Sequence, residues 1–270
     1  MVVWNMRITY SESSNETYGQ GQRRVQEECC SCQKEIWSPP PKTTWQWQIS
    51  GAINTSFDVD MYDIDLFDAK IEVIDKLRAD GRKVICYFSA GTFENWRLDK
   101  DKFPASVLGS PLEEWPGERW LDIAKLDIIG PIMQARLDLA VEKGCDGVEP
   151  DNVDGYKNAN GVGLDASNQL SYNKWLAREA HLRGLSIGLK NDLDQVLQLV
   201  DHFDFAINEQ CWQFKECSLL RPFINAGKAV FGVEYSGTPR QFCPKLNAMG
   251  FSWLKKRLSL DAFRIDCMSI

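Results

Sequence analysis

Two stretches of this chain place carboxylates where they can do acid–base or nucleophilic work. In Gly144-Cys145-Asp146-Gly147-Val148-Glu149-Pro150-Asp151-Asn152-Val153-Asp154 four carboxylates fall within nine residues, behind a glycine turn. In Asn208-Glu209-Gln210-Cys211-Trp212 one glutamate closes an apolar run. Read as a parallel strand, the first stretch alternates Gly147, Glu149 and Asp151 on one face. A strand that begins apolar and ends in carboxylates suits the C-terminal mouth of a barrel. A calcium loop is the bland alternative, but Val148 and Pro150 break the alternate-oxygen register such loops need. Asp151 and Glu209 are the candidate catalytic pair, since two carboxylates can divide glycosidic cleavage between attack on the sugar and protonation of the leaving oxygen. Lys190, on the strand between them, is placed to hold Asp151 ionised. Glu149 and Asp154 stand close enough to repel a neighbouring carboxylate.

The elements that must position these residues alternate from Thr44 onward, with about eight strand-like and eight helix-like pieces. Expected strands cover 45–51, 56–64, 83–89, the 144–154 stretch, 186–191, 203–210, 229–235 and 250–254, with helices at 67–80 and 131–143. The run Val84-Ile85-Cys86-Tyr87-Phe88 has the continuous apolar character of a strand buried on both faces. Polar residues gather at the C-terminal ends of successive strands, as at a barrel mouth. A long insertion over 92–127, rich in tryptophan and charge, leaves the third strand and is expected to roof that mouth. The expectation is an α/β (β/α)8 TIM barrel over 44–270, a fold that uses about 250 residues. A doubly wound sheet is the runner-up, without a Gly-x-Gly-x-x-Gly turn to support it. Residues 1–43 are polar, end in Pro39-Pro40-Pro41, and are expected to form a flexible N-terminal segment or linker.

A net charge of −7 argues against nucleic acid as a partner. No apolar run is long enough to cross a membrane, and no signal-peptide core is evident. Asn15-Glu16-Thr17 and Asn54-Thr55-Ser56 match the glycosylation sequon, a pattern common by chance. Nine cysteines need sorting. Cys211 with Cys217, and Cys243 with Cys267, sit where a bridge would fasten a loop or the terminus, and are expected disulfides. Cys86 is expected to be a small buried hydrophobe. Cys29, Cys30 and Cys32 form a tight group whose pairing stays open. Zinc has little support, with no second cysteine pair nearby and only two histidines.

At these motifs a family resemblance is visible. Asp146 to Asp154 and Asn208 to Cys211 resemble glycoside hydrolase family 114, the endo-α-1,4-polygalactosaminidases. So do Trp45-Gln46-Trp47-Gln48, Tyr87-Phe88-Ser89-Ala90-Gly91, the run from Gly117 to Ile123 and the terminal run from Asp261 to Cys267. The similarity covers about residues 44–267. It implies a secreted barrel acting on partly deacetylated galactosaminogalactan-type polymers, with the motif Asp at Asp151 and the motif Glu at Glu209. One departure is Ala124-Lys125, where similar sequences carry Arg. Substrate contacts are expected from Asp60, Asp63, Tyr87, Trp120, Glu149, Asn152, Asp154, Lys190, Trp212 and Glu234. The acidic ones among these would draw a cationic sugar polymer toward the mouth. Asp65 is better suited to capping the turn into the following helix. Asp151 is expected to be the nucleophile and Glu209, in a less polar setting, the general acid/base, spaced 5–6 Å apart as in retaining enzymes (about 5–5.5 Å). No cofactor is called for, the partner is a polysaccharide, and a monomer is expected. A metal-dependent barrel enzyme and a non-catalytic polysaccharide-binding barrel are the alternatives.

Overall fold

The computed structural model describes residues 36–270. Its elements run β1 (Trp45–Gln48), β2 (Met61–Asp65), α1 (Ile71–Ala79) and β3 (Lys83–Ser89). The insertion supplies β4 (Thr92–Glu94), β5 (Leu108–Pro111) and β6 (Glu118–Leu121). Then come α2 (Leu126–Lys143), β7 (Gly147–Asp151), α3 (Ala166–Leu182), β8 (Ser186–Lys190), α4 (Val196–Leu199) and β9 (Phe205–Glu209). The chain finishes with α5 (Cys211–Phe214), α6 (Arg221–Asn225), β10 (Val230–Glu234), α7 (Pro239–Ala248), β11 (Ser252–Lys255) and β12 (Ile265–Asp266).

Eight parallel strands neighbour one another in chain order, β1-β2-β3-β7-β8-β9-β10-β11, with β12 added antiparallel to the last. This is the strand order of a (β/α)8 barrel. At the seam between first and last strands the Trp45 indole donates to the Ser252 carbonyl (3.0 Å), and Ile49 N to Leu260 O (3.2 Å). Inward side chains Trp45, Trp47, Met61, Ile85, Phe205, Ile207, Phe231, Val233 and Leu254 fill one interior core. Glycine is required at two of its edges. A Cβ on Gly147 would meet Ile85 at 2.8 Å, and one on Gly188 would meet the Phe205 ring at 2.3 Å. Above these two glycines, on the same inward faces, come Glu149 and Lys190. The alternate residues of β3, Val84, Cys86 and Phe88, belong to the outer core beneath the helices.

Differences from the expected elements have local causes. The first two strands are shorter than read, so Asp58 and Asp60 precede β2 rather than lying in it. Helix α1 starts at Ile71, because Asp65 accepts from Phe67 N and Asp68 N and turns the chain first. Helix α2 begins at Leu126, so Pro131 stands inside the helix and not at its start. That helix ends at Gly144, whose φ of 83° is the left-handed stop that glycine adopts without strain. The insertion is a three-stranded antiparallel sheet, β4-β6-β5, packed over the mouth side of β3.

Disulfides Cys211–Cys217 and Cys243–Cys267 form as expected, with Cα separations of 4.7 and 4.9 Å. Cys86 is a correction: it is bonded to Cys145, Cα–Cα 6.1 Å. Its outward face on β3 meets the turn that leads into β7, a proximity that strand pairing creates and sequence distance hides. Pro39 O accepts from Ala229 N (2.8 Å) and Ser38 Oγ donates to Asp204 O (3.0 Å), so Ser38 and Pro39 lie against the barrel. Cys29, Cys30, Cys32, the sequon at Asn15 and the rest of the N-terminal segment lie outside the described residues.

Candidate active site

The register of β3 with β7 sets Tyr87 beside Glu149 and Ser89 beside Asp151. With β8 and β9 alongside, four strand ends converge on one ammonium. Lys190 Nζ lies 3.0 Å from Glu149 Oε1, 3.0 Å from Asp151 Oδ1 and 3.5 Å from Glu209 Oε2. The same nitrogen sits 4.7 Å over the Trp47 ring and 5.9 Å from that of Tyr87. Tyr87 OH donates to Asp151 Oδ2 (3.1 Å), and Asn152 N donates to Asp151 Oδ1 (2.8 Å). Glu209 receives the Tyr235 hydroxyl on one oxygen and Asn191 Nδ2 (3.3 Å) on the other.

Asp151, Lys190 and Glu209 open into a cleft of about 330 Å³ bordered by Trp47, Trp96, Trp115, Glu94, Glu118 and the 258–260 loop. A second lobe of about 320 Å³ continues past Glu209 and Tyr235 toward Asp192, Phe214 and Glu216. The acids of the two lobes strain against their own burial. Asp154 is pushed up to about 6 by burial and then by the Asp151 charge. Asp192 is pushed up to about 7 by burial and then by Asp154. Glu118 rises to about 7 through burial, against the pull of its Thr92 hydrogen bond. Acidic side chains outnumber the cations Arg97, Lys157 and Lys190 along both lobes. A positively charged ligand would relieve that repulsion.

The expected contact residues separate into three groups. Asp151, Glu209, Tyr87, Asn152, Asp154 and Lys190 line the cleft. The Asn152 side chain turns to Ser89 and Thr92 (3.0 and 3.2 Å) and so braces the strand end. Glu149 and Asp63 lie in the buried layer beneath it. Asp60, Trp120, Trp212 and Glu234 border neither lobe. Asp60 lies at the opposite end of the barrel, accepting from Thr44 N (2.8 Å) and Oγ1 (2.6 Å), because it precedes its strand. Glu234 points out of the barrel, fully buried, and accepts from Trp212 N (2.9 Å), since β10 turns its even-numbered residues toward the helices. Trp212 packs on Phe242, and Trp120 lies under Gly155.

No curated protein matches the chain. The model of glycoside hydrolase family GH114 matches residues 26–270. This chain belongs to glycoside hydrolase family GH114. Membership makes it a glycoside hydrolase with a carbohydrate substrate. The chain is similar to the crystal structure of Aspergillus fumigatus Ega3 in complex with galactosamine, at 44% identity and a TM-score of 0.82. That alignment covers 86% of this chain and 97% of that one. The glycoside hydrolase domain of PelA from Pseudomonas aeruginosa shares the fold at 13% identity and a TM-score of 0.65, over 84% of this chain and 98% of that one.

Four side chains of this GH114 site escaped sequence reasoning. Tyr235 adjoins the expected Glu234, and alternation along β10 would have favoured it as the inward residue. Asn191 anchors Glu209 twice, since its Oδ1 also accepts from Glu209 N (3.0 Å). Trp47 sat in a recognisable alternating strand that suggested core and nothing more. Glu118 lies in the run from Gly117 to Ile123 that resembles the family, but only the folding back of the insertion brings it to the cleft.

Proposed function

We propose that this glycoside hydrolase cleaves α-1,4-galactosaminidic linkages in a cationic galactosamine-containing polysaccharide, acting within the chain and with retention. The observation that carries it is the placement of Asp151 and Glu209 on one Lys190 nitrogen inside an acidic cleft. At 3.0 and 3.5 Å from that nitrogen, their nearest oxygens are at most about 6.5 Å apart. Retaining pairs stand about 5–5.5 Å apart, and inverting pairs about 6.5–9.5 Å. Cationic specificity is supported by the acidic lining and by the galactosamine named with the 44% identical Ega3. Cleavage within a chain is supported by the two lobes that meet at Glu209, which leave room for sugar on both sides of the reacting pair. Three disulfides support an oxidising, extracellular setting.

Two hydrogen bonds to Asp151, from Tyr87 and Asn152, and the ion pair with Lys190 match a group that attacks as an anion. Its oxygen forms a bond to the anomeric carbon as the glycosidic bond breaks, and Glu209 passes its proton to the departing oxygen. Glu209 then takes a proton from water, whose oxygen bonds to the anomeric carbon on the face the leaving group vacated as the bond to Asp151 breaks and its carboxylate is released. A metal-dependent reading is disfavoured because the Lys190 ammonium already holds the point between the carboxylates where a cation would sit. Asp151→Asn and Glu209→Gln should each lower kcat by about a thousandfold or more, with polymer binding retained. The first product released by the unmodified enzyme should carry the α anomer, read by NMR. Near-normal turnover in either variant, or a β product, removes this mechanism.

A further inference from the structure

The layer under the reacting pair holds a charge arrangement that substrate contact does not explain. Lys190 is 1% exposed, and its ammonium is faced by Glu149 and Asp151 from β7 and by Glu209 from β9. Trp47 from β1, Tyr87 from β3 and Tyr235 after β10 complete its surroundings. Glu149 has no exposure; the Trp47 indole donates to its Oε2 (2.9 Å), and the Lys190 ammonium faces its Oε1 as an ion pair at 3.0 Å without a hydrogen bond. Both contacts favour the ionised form of Glu149, against the burial that pushes it up to about 7. Asp63, inward on β2, is equally buried, yet among the described residues neither of its oxygens has a donor. A carboxylate kept from water without a donor reverts to its neutral acid. Burial and then the Glu149 charge both press in that direction. The contacts therefore favour a proton on Asp63 and the negative charge on Glu149.

We propose that Asp63, Glu149 and Lys190 form a positioning stack, in which neutral Asp63 and ionised Glu149 seat the ammonium between the two reacting carboxylates. None of the three needs to touch the sugar. The stack fixes the electrostatic field that Asp151 and Glu209 share, and this rests on their being the reacting pair. In such a pair the acid limb of the kcat/KM profile reports ionisation of the nucleophile and the alkaline limb reports loss of the acid's proton. A charge change in the stack acts on both limbs in one direction.

The test is the pH profile of three variants on a soluble galactosamine polymer. Glu149→Gln removes a negative charge and should move both limbs to lower pH by about one unit. Lys190→Met removes the positive charge and should move both limbs to higher pH by a similar amount or more. Asp63→Asn replaces a neutral acid by a neutral amide and should leave both limbs within about 0.3 unit, whatever the rate. If Asp63→Asn shifts the limbs as Glu149→Gln does, Asp63 is charged and the stack is wrong. Limbs that stay in place in Glu149→Gln overturn it as well, and that pair of variants decides the matter should Lys190→Met fail to fold. Failure of the reading of Asp151 and Glu209 has a separate signature, turnover surviving in Asp151→Asn or Glu209→Gln.

Discussion

At the scale of single residues, position along a strand decides role more than residue type does. Asp60 and Asp63 are three residues apart, yet one joins two strand starts at the closed end of the barrel and the other lies under the cleft. Asp60 receives two hydrogen bonds from Thr44, each contributing about 0.5–1.5 kcal/mol. Asp60→Ala should therefore lower the melting temperature by a few degrees while kcat/KM stays within about twofold of the unmodified enzyme. A tenfold loss of kcat/KM with unchanged stability would return Asp60 to the substrate site.

At the scale of elements, the insertion is fastened to the barrel by buried charge. Arg97, just after β4, pairs with Asp65 at the end of β2 (2.7 Å) and with Glu94 (2.8 Å). Arg136 of α2 donates to Ser89 O (2.6 Å) and to Asp99 (2.8 and 3.0 Å). These contacts hold Glu94, Trp96 and Glu118 along the cleft that Asp151 and Glu209 also line, so the roof belongs to that cleft. Such pairs add little net stability over apolar packing, but removing one partner leaves the other charge buried and alone. Arg97→Met should cost about 3–5 kcal/mol in chemical denaturation. Adding Glu94→Gln to that variant should recover part of the loss, because one stranded carboxylate is gone. If the double variant is less stable than the single one by the full additive amount, the roof is not held in this way.

At the scale of the whole molecule, acidity works against folding near neutral pH. Glu118 and Asp192 have folded values raised to about 7, and Asp154 to about 6, above ordinary values of 4.5 and 3.8. A carboxyl raised on folding stabilises fully below its unfolded value and loses that contribution as pH climbs through its folded value. Lys256, lowered to about 7 by burial, acts in the opposite sense. Three carboxyls outweigh one amine, so the melting temperature should be higher at pH 5 than at pH 8. Most of the change should fall between about pH 5 and 7.5. A flat or rising profile over that window would show that these acids relax toward water in the folded state.

The sequence by itself determined the class of fold, the order of its strands and the two carboxylates at their ends. Those properties are local: alternation of apolar residues, a glycine turn, and acidic residues closing an apolar run. Asp151 and Glu209 were legible because each ends a strand whose period could be counted. Lys190 stood on the strand between them, so its meeting with Asp151 followed once strand order was assumed. Other features depended on contacts between segments far apart in the chain. Cys86 reached Cys145 only because β3 and β7 pair across the long insertion. Glu118 reached the cleft only when that insertion folded back on itself. Glu234 and Tyr235 were separated by the direction in which β10 faces, which closure of the barrel imposes. The proton favoured on Asp63 beside Glu149 is a property of the closed interior alone, since only exclusion of water makes two neighbouring carboxyls compete for one charge.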